Sequence, residues 1–595
     1  MSSNRCKRKY NFFHILIRTI GIFIKVNPRH FMLFLFANIV AGLIQPSLLF
    51  VQQNIFDNAL KYSNNIVGIS YIITFVVIYI VLRILIHYID SLDDILQSYA
   101  YIGCEAAMTK NMNNNVAYLK LDNFEDEELF KQILKSKNAI GTTARTQFHI
   151  MSGIIYQAIT LTGYLGYLLA VKPTLLLMAV LMCVPISLSF FIKGKYYHEL
   201  QNANASFIRR TRYFASCMNG KEYFKETRTL GVLQYFYNLL KDSIEELNNN
   251  ERKTSKKIFI INLFLALASF LSIGGVFFLA AYYLFIGEIA VGAFASVLVA
   301  IDDLYFYIYG TFYIIGNAIK NAPQSRFYFE FIDNIKGPEG IVKDIEIRDK
   351  IELKNISYSY PSSDKLVISG VSLNLKKGEK IAIVGKNGAG KTTLVKLICG
   401  LYLSNSGKVL YDDIDIKTVN ESCLYTRFSA VFQDFGKYML TLRQNIALSD
   451  YKNIDNNNKM EHAIRNSNFN LDYAGKILDT TIGREYGGIE LSGGEWQRVA
   501  IARGFFREHD VIVLDEPTSA IDPIIENEMY EKFVEIIKDK TAIIVTHRLG
   551  SAKIADRIIV MDSGKIVEEG THEQLIYENG LYAEMYKSQS DWYQR

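Results

Sequence analysis

Cysteine is scarce in this chain: six residues in 595, at positions 6, 104, 183, 217, 399 and 423, none at a metal-ligand spacing. That argues against zinc sites and against a disulfide framework. Net charge is also small, +5 from 65 basic and 60 acidic residues, too little for the positive field of a nucleic-acid binder. No internal repeat is visible. Nor does a cleavable signal open the chain, because the first apolar stretch lacks a small-residue cleavage site and continues at full spanning length. Apolar residues, by contrast, make up 50% of the chain against 21% charged. The mean hydropathy of +0.10 averages two unlike halves.

The first half holds long apolar segments at residues 31–50, 69–87, 150–171, 174–192, 258–285 and 289–315. Each is close to the ~20 residues that a helix needs to cross a bilayer, so the front half is expected to be a six-helix transmembrane domain embedded in lipid. Arg5, Lys7, Arg8, Lys9, Arg18, Lys25 and Arg29 precede or open the first span, whereas residues 52–68 carry only Asp57 and Lys61. The turns at Lys172-Pro173 and Gly287-Glu288 are nearly charge-free, and the polar connections 88–147 and 193–257 are rich in Lys and Arg. Positive charge gathers on the cytoplasmic side, so the N-terminus, both long connections and everything after the last span are expected in the cytoplasm.

The second half alternates strand and helix patterns. Residues 380–384 read as a strand, GKNGAGKT at 385–392 follows, and a helix begins at Lys391. In that setting Gly385, Lys386, Asn387, Gly388, Ala389 and Gly390 form a loop whose N–H groups face phosphate oxygens. Lys391 reaches the β- and γ-phosphates, and the Thr392 hydroxyl suits magnesium. A second apolar run, 511–514, ends in Asp515-Glu516, which suit metal and water respectively, and a third, 542–546, ends at His547. LSGGE at 491–495 places Ser492, Gly493, Gly494 and Glu495 at the start of another helix, a second anion-binding terminus.

Taken together, these motifs resemble the ATP-binding cassette transporters of the exporter type, nearest the bacterial peptide- and antibiotic-export group. The resemblance implies a transmembrane domain over 1–332, a linker over 333–349, and an α/β P-loop NTPase domain with a helical subdomain over 350–595. It also implies ATP and Mg2+ as cofactors. Tyr360 in SYSYP is then the adenine-stacking aromatic, the phosphate loop extends to Thr393, and Gln433 in VFQDF links the nucleotide and its metal to the membrane domain. Glu516 orients the attacking water, His547 and Lys391 stabilise the γ-phosphoryl group, Thr392, Gln433 and Asp515 hold the metal, and Asp522 in the 519–522 loop contacts the other cassette. In that family the signature caps the ATP of a partner, so one cassette per chain requires a second half-transporter, in a homodimer or a heterodimer.

The resemblance further implies ATP-driven efflux of a peptide, antibiotic-like compound, drug or lipid across the cell membrane. An importer on the same fold and an ATP-gated channel or signalling complex are the competing readings. No peptidase domain precedes the membrane region, so the chain is not expected to cleave a leader peptide. Segments 119–133 and 216–231 resemble the two coupling segments, and the acids Asp122, Glu125, Asp126, Glu127 and Glu128 read either as a solvated face or as a docking face for a basic groove near Gln433. Gly504 stands where alanine is common, at a cost of about 1 kcal/mol in helix propensity. Deep in the last span, Asp302 and Asp303 are expected to face either the substrate path, with Tyr305, Tyr309 and Phe312 as an aromatic wall, or an Arg or Lys of a neighbouring helix.

Overall fold

The structure is a computed structural model describing residues 12–335, 345–361, 363, 365–516, 533 and 540–594. Residues 5–9 and the 519–522 loop with Asp522 lie outside the described residues. The chain divides into two compact units, residues up to 114 with 132–334, and 115–131 with 335–595.

The first unit is helical: α1 (Phe12–Val26), α2 (Pro28–Ser63), α3 (Ile69–Ala117), then, beyond the short α4 (Leu121–Glu125) of the second unit, α5 (Glu127–Val171), α6 (Pro173–Asn219), α7 (Phe224–Thr229), α8 (Leu233–Phe285) and α9 (Val291–Asn334). Six of these are long and apolar enough to cross a membrane. Pro28 and Pro173 sit in the first helical turn, where a missing N–H costs nothing. At 1.5 Å per residue, α3 and α8 run roughly 70–80 Å, far beyond the ~30 Å of hydrocarbon, so both continue well outside it. The most apolar stretch of α3 is only 6% buried, which suits a helix surrounded by lipid. Inside the bundle, Tyr164, Leu168, Met182, Val276, Val297 and Leu304 close the core.

Lys172 and Glu288, the charges of the two sparse turns, pair at 2.8 Å, and Thr174 meets Tyr283 Oη at 2.9 Å. At the other extreme of α9, Asp333 accepts both guanidinium N–H groups of Arg18, at 2.7 and 2.9 Å, with Arg18 also lying 4.6 Å over Phe329. Asp303 accepts the Tyr164 hydroxyl at 2.5 Å and lies within electrostatic reach of Arg83 on α3. Asp302 is exposed. Of the expected aromatic wall, Tyr305 stacks on Phe270, Tyr309 and Phe312 both pack on Phe190, and Tyr309 remains exposed.

The second unit contains two sheets. β1 (Lys350–Tyr358), β2 (Ile368–Lys376), β4 (Ser406–Tyr411) and β5 (Ile414–Asp415) form an antiparallel sheet in the order β2-β1-β4-β5. β3 (Lys380–Gly385), β6 (Phe428–Val431), β7 (Val511–Asp515), β8 (Thr541–Val545), β9 (Arg557–Asp562) and β10 (Lys565–Gly570) form the other, in the order β10-β9-β3-β8-β7-β6. Strands β9, β3, β8, β7 and β6 are parallel. Burial on both faces explains why β7 and β8 read as continuous apolar runs. Helix α10 (Lys391–Ile398) follows β3. Between β6 and β7 lies a helical subdomain of α11 (Leu442–Ala447), α12 (Asn457–Asn466), α13 (Leu471–Ile477) and α14 (Gly493–Phe506), packed around Trp496, Val499 and Phe506.

Candidate functional site

Three neighbouring parallel strands, β3, β8 and β7, bring their C-terminal ends to one sheet edge, where α/β proteins place ligands. Ile383 pairs with Val545, and Val545 pairs with Asp515, so Gly385, His547 and Asp515 all emerge there. The loop after β3 needs glycine. Gly385 has φ +148° and a Cβ would lie 2.2 Å from the Met561 carbonyl oxygen; Gly390, the residue before α10, has φ +98°. Lys386, Asn387 and Gly388 are exposed, whereas Ala389 is buried beneath them. Lys391 is buried and donates from Nζ to the carbonyls of Gly385 at 3.0 Å and Lys386 at 3.2 Å. Burial lowers its pKa, against the opposing pull of Glu516 and Asp515.

The Thr392 hydroxyl donates to Asp515 Oδ1 at 3.3 Å. Asp515 is almost fully buried, and burial raises its pKa despite the Thr392 bond. A hydroxyl and a carboxylate so placed are hard oxygen donors, the ligand type magnesium prefers, with phosphate and water completing the shell. No cluster of three or more His, Cys, Asp or Glu residues suited to a metal occurs among the described residues. Gln433 stands exposed two residues beyond β6, the strand next to β7, and it makes no side-chain hydrogen bond among the described residues.

Glu516 leaves the strand with φ +50°, a left-handed conformation costly for a residue with a side chain. Its N–H still bonds Val545 O at 3.0 Å, and its carboxylate meets His547 Nε2. The two consecutive acids thus serve different neighbours, Asp515 the loop hydroxyl and Glu516 the imidazole. Burial and Lys391 hold the His547 pKa below its ordinary value, while Glu516 pulls the other way. Gln589 braces this turn, donating to the His547 carbonyl at 2.5 Å and accepting from Leu549 N–H at 2.9 Å. Sequence patterns did not single out Gln589, since a lone amide near a C-terminus carries no motif.

The signature forms a capping box. Ser492 accepts from Glu495 N–H at 3.3 Å, and the Glu495 carboxylate takes Ser492 N–H at 2.7 Å and its hydroxyl at 2.8 Å. Tyr360 is half-buried, and its hydroxyl lies 3.1 Å from that of Thr393.

The family model described as ABC transporter matches residues 368–519. The subtilin transport ATP-binding protein of Bacillus subtilis is 29% identical over 93% of this chain and 90% of its own. The nisin transport ATP-binding protein of Lactococcus lactis subsp. lactis is 27% identical over 97% of each. The chain carries an ABC transporter ATPase domain fused to a helical membrane domain. It is homologous to bacterial ABC exporters, and ATP hydrolysis in such a chain is coupled to transport. A solved bacterial Atm1-family ABC exporter with ATP bound shares the fold, with a TM-score of 0.78 and 22% identity over 94% of this chain and 97% of that one.

In the membrane unit of this ABC transporter, a cavity of about 300 Å³ is lined by Asn38, Asp90, Asp93, Ser152, Tyr156 and Tyr307, among others. Asp93 accepts from Asn38 at 2.7 Å and from Gln97 at 2.5 Å, and Ser152 donates to Asn38 at 3.2 Å. The sequence signal for it was present in Asp90, Asp93 and Asp94, which follow directly on an apolar span.

Proposed function

We propose that the chain is one half of an exporter of the cytoplasmic membrane, a dimer whose two cassettes close on ATP and turn a cavity between the membrane units outward. The observation that carries this is the double pairing at one sheet edge, Thr392 with Asp515 and Glu516 with His547, beside the phosphate loop. Backbone N–H groups of 386–390 take phosphate oxygens, Lys391 turns from its two carbonyls to the β- and γ-phosphates, and Tyr360 stacks on adenine. A magnesium ion held by Thr392, Asp515 and Gln433 would neutralise phosphate charge. Glu516 orients the attacking water, and the neutral His547 donates a hydrogen bond to the γ-phosphoryl oxygens. Ser492 and the N–H groups of Gly493, Gly494 and Glu495 cap the ATP of the partner cassette. With positive charge inside, the N-terminus, both long connections and the cassette face the cytoplasm. Relatives named for subtilin and nisin transport support a peptide or antibiotic-like cargo.

Glu516→Gln is expected to keep ATP binding and lose hydrolysis by about 10²-fold or more, while Lys391→Ala weakens binding itself. A fluorescent ATP analogue and phosphate release measure the two effects. Near-normal turnover in Glu516→Gln would remove Glu516 from the mechanism. Export predicts ATP-dependent cargo uptake into inside-out vesicles.

A further inference from the structure

Three tyrosines of the cassette form one cluster. The rings of Tyr358 and Tyr402 stack 5.2 Å apart at 7°, and Tyr360 meets both edge-on, at 5.4 Å and 5.8 Å. Tyr358 and Tyr402 are fully buried, whereas Tyr360 alone is partly open. Buried phenol hydroxyls need partners, and here the partners come from α4, 236 and 277 residues earlier in the chain but in the same compact unit. Tyr358 donates to Asp122 Oδ1 at 2.8 Å, and Tyr402 donates to Glu125 Oε1 at 2.7 Å. Leu403 N–H adds a bond to Asp122 Oδ2 at 3.3 Å, and Leu121 packs on the core around the cluster. Asp122 and Glu125 therefore dock on tyrosine hydroxyls and not on a basic groove near Gln433, while Glu127 and Glu128 stay exposed as a solvated face.

On its other side the cluster touches the phosphate-loop helix. Lys396 donates to the Tyr402 oxygen at 3.1 Å and lies 4.9 Å over that ring, and Tyr360 reaches Thr393. Burial first, and the neighbouring carboxylates second, raise both phenol pKa values, so these groups remain donors at any physiological pH. A stacked, buried pair transmits displacement because close-packed rings leave no slack. Removing either carboxylate strands a buried donor, which must then move to find another partner.

We infer that Asp122 and Glu125 are positioning residues for ATP: by holding Tyr358 and Tyr402 in one stacked arrangement they set the Tyr360 ring for adenine, so the α4 segment governs nucleotide affinity. This rests on the proposed reading of Tyr360 as the adenine platform. One ring separates each carboxylate from Tyr360. Movement of α4 would thus reach the base without passing through the phosphate loop.

The test uses the full chain in lipid nanodiscs. In the double variant Asp122→Ala with Glu125→Ala, KM for ATP is expected to rise about tenfold, the scale of one lost aromatic contact, with kcat changing less than about twofold. Tripolyphosphate, which presents phosphates without a base, should inhibit with an unchanged constant. Asp122→Asn with Glu125→Gln keeps acceptor oxygens and should return KM towards the parent value. Tyr402→Phe keeps the ring and loses the hydroxyl, so it should raise KM even if the double alanine variant fails to fold. An unchanged KM in Tyr402→Phe and the double variant, or a parallel loss of ATP and tripolyphosphate affinity, overturns the inference. Tyr360→Ala separates the two levels: an unchanged KM there sinks the adenine assignment, whereas a raised KM with inert carboxylate variants sinks only the role of Asp122 and Glu125.

Discussion

His509 shows how one half-buried side chain ties stability to pH. The Arg507 carbonyl can only accept, so Nδ1 carries the proton, at 2.8 Å, and Nε2 accepts from Lys540 at 3.4 Å. Burial, with Lys540 and Arg507 adding positive charge, lowers its pKa from 6.5 to about 4. Between those values the unfolded chain takes up a proton that the folded chain refuses. Stability from this group is therefore complete above pH 6.5 and falls as pH drops towards 4, by up to about 3 kcal/mol. His509→Gln is expected to flatten that part of the profile, read as thermal midpoints of the full chain at pH 7 and pH 5. An equal acid shift in parent and variant would assign the slope elsewhere. Sequence reading passed over His509 because a lone histidine outside a motif has no pattern, whereas His547 was legible from its place at a strand end.

Helix α14 carries a case where element-level reasoning from propensity has the wrong sign. Glycine inside a helix is less favourable than alanine by about 1 kcal/mol, so Gly504→Ala ought to stabilise. The Gly504 carbonyl, however, accepts the Ser429 hydroxyl at 2.6 Å, and a Cβ at 504 would lie 2.9 Å from Val431 Cγ2. Valine is stiff at its Cβ, so either the strand or the helix must shift. Gly504→Ala should therefore destabilise the chain by about 1–3 kcal/mol, as overpacking does. A raised unfolding temperature would show that the contact yields easily. At the other end of the same helix the start at the signature was legible, and the structure adds that Ser492 and Glu495 form a capping box there.

For the whole molecule, the question is whether two chains share each ATP. The signature N-terminus engages its own Glu495 and no residue of its own phosphate loop among the described residues. Paired cysteines at Ser492 and Asn387 are expected to crosslink between chains, and only when ATP closes the dimer of a hydrolysis-deficient Glu516→Gln background. Asn387 is preferable to Gly388, whose φ of +78° would strain any cysteine placed there. Dimers on a denaturing gel report the composite site. Crosslinks within one chain would contradict it.

Six spans, a phosphate loop, paired acids and a signature helix could all be read from residue order, because each depends on local chemistry: unbroken apolar length, backbone N–H groups at a glycine loop, a hydroxyl and N–H groups at a helix start. The identity of the family followed from those motifs. Tertiary structure alone decided the rest. It paired Asp303 with Tyr164, packed Tyr309 and Phe312 on Phe190, set Gly504 against Val431, and drew Asp122 and Glu125 onto Tyr358 and Tyr402. Each of these joins residues from 73 to 277 positions apart, and such a contact leaves no periodicity in the chain that makes it.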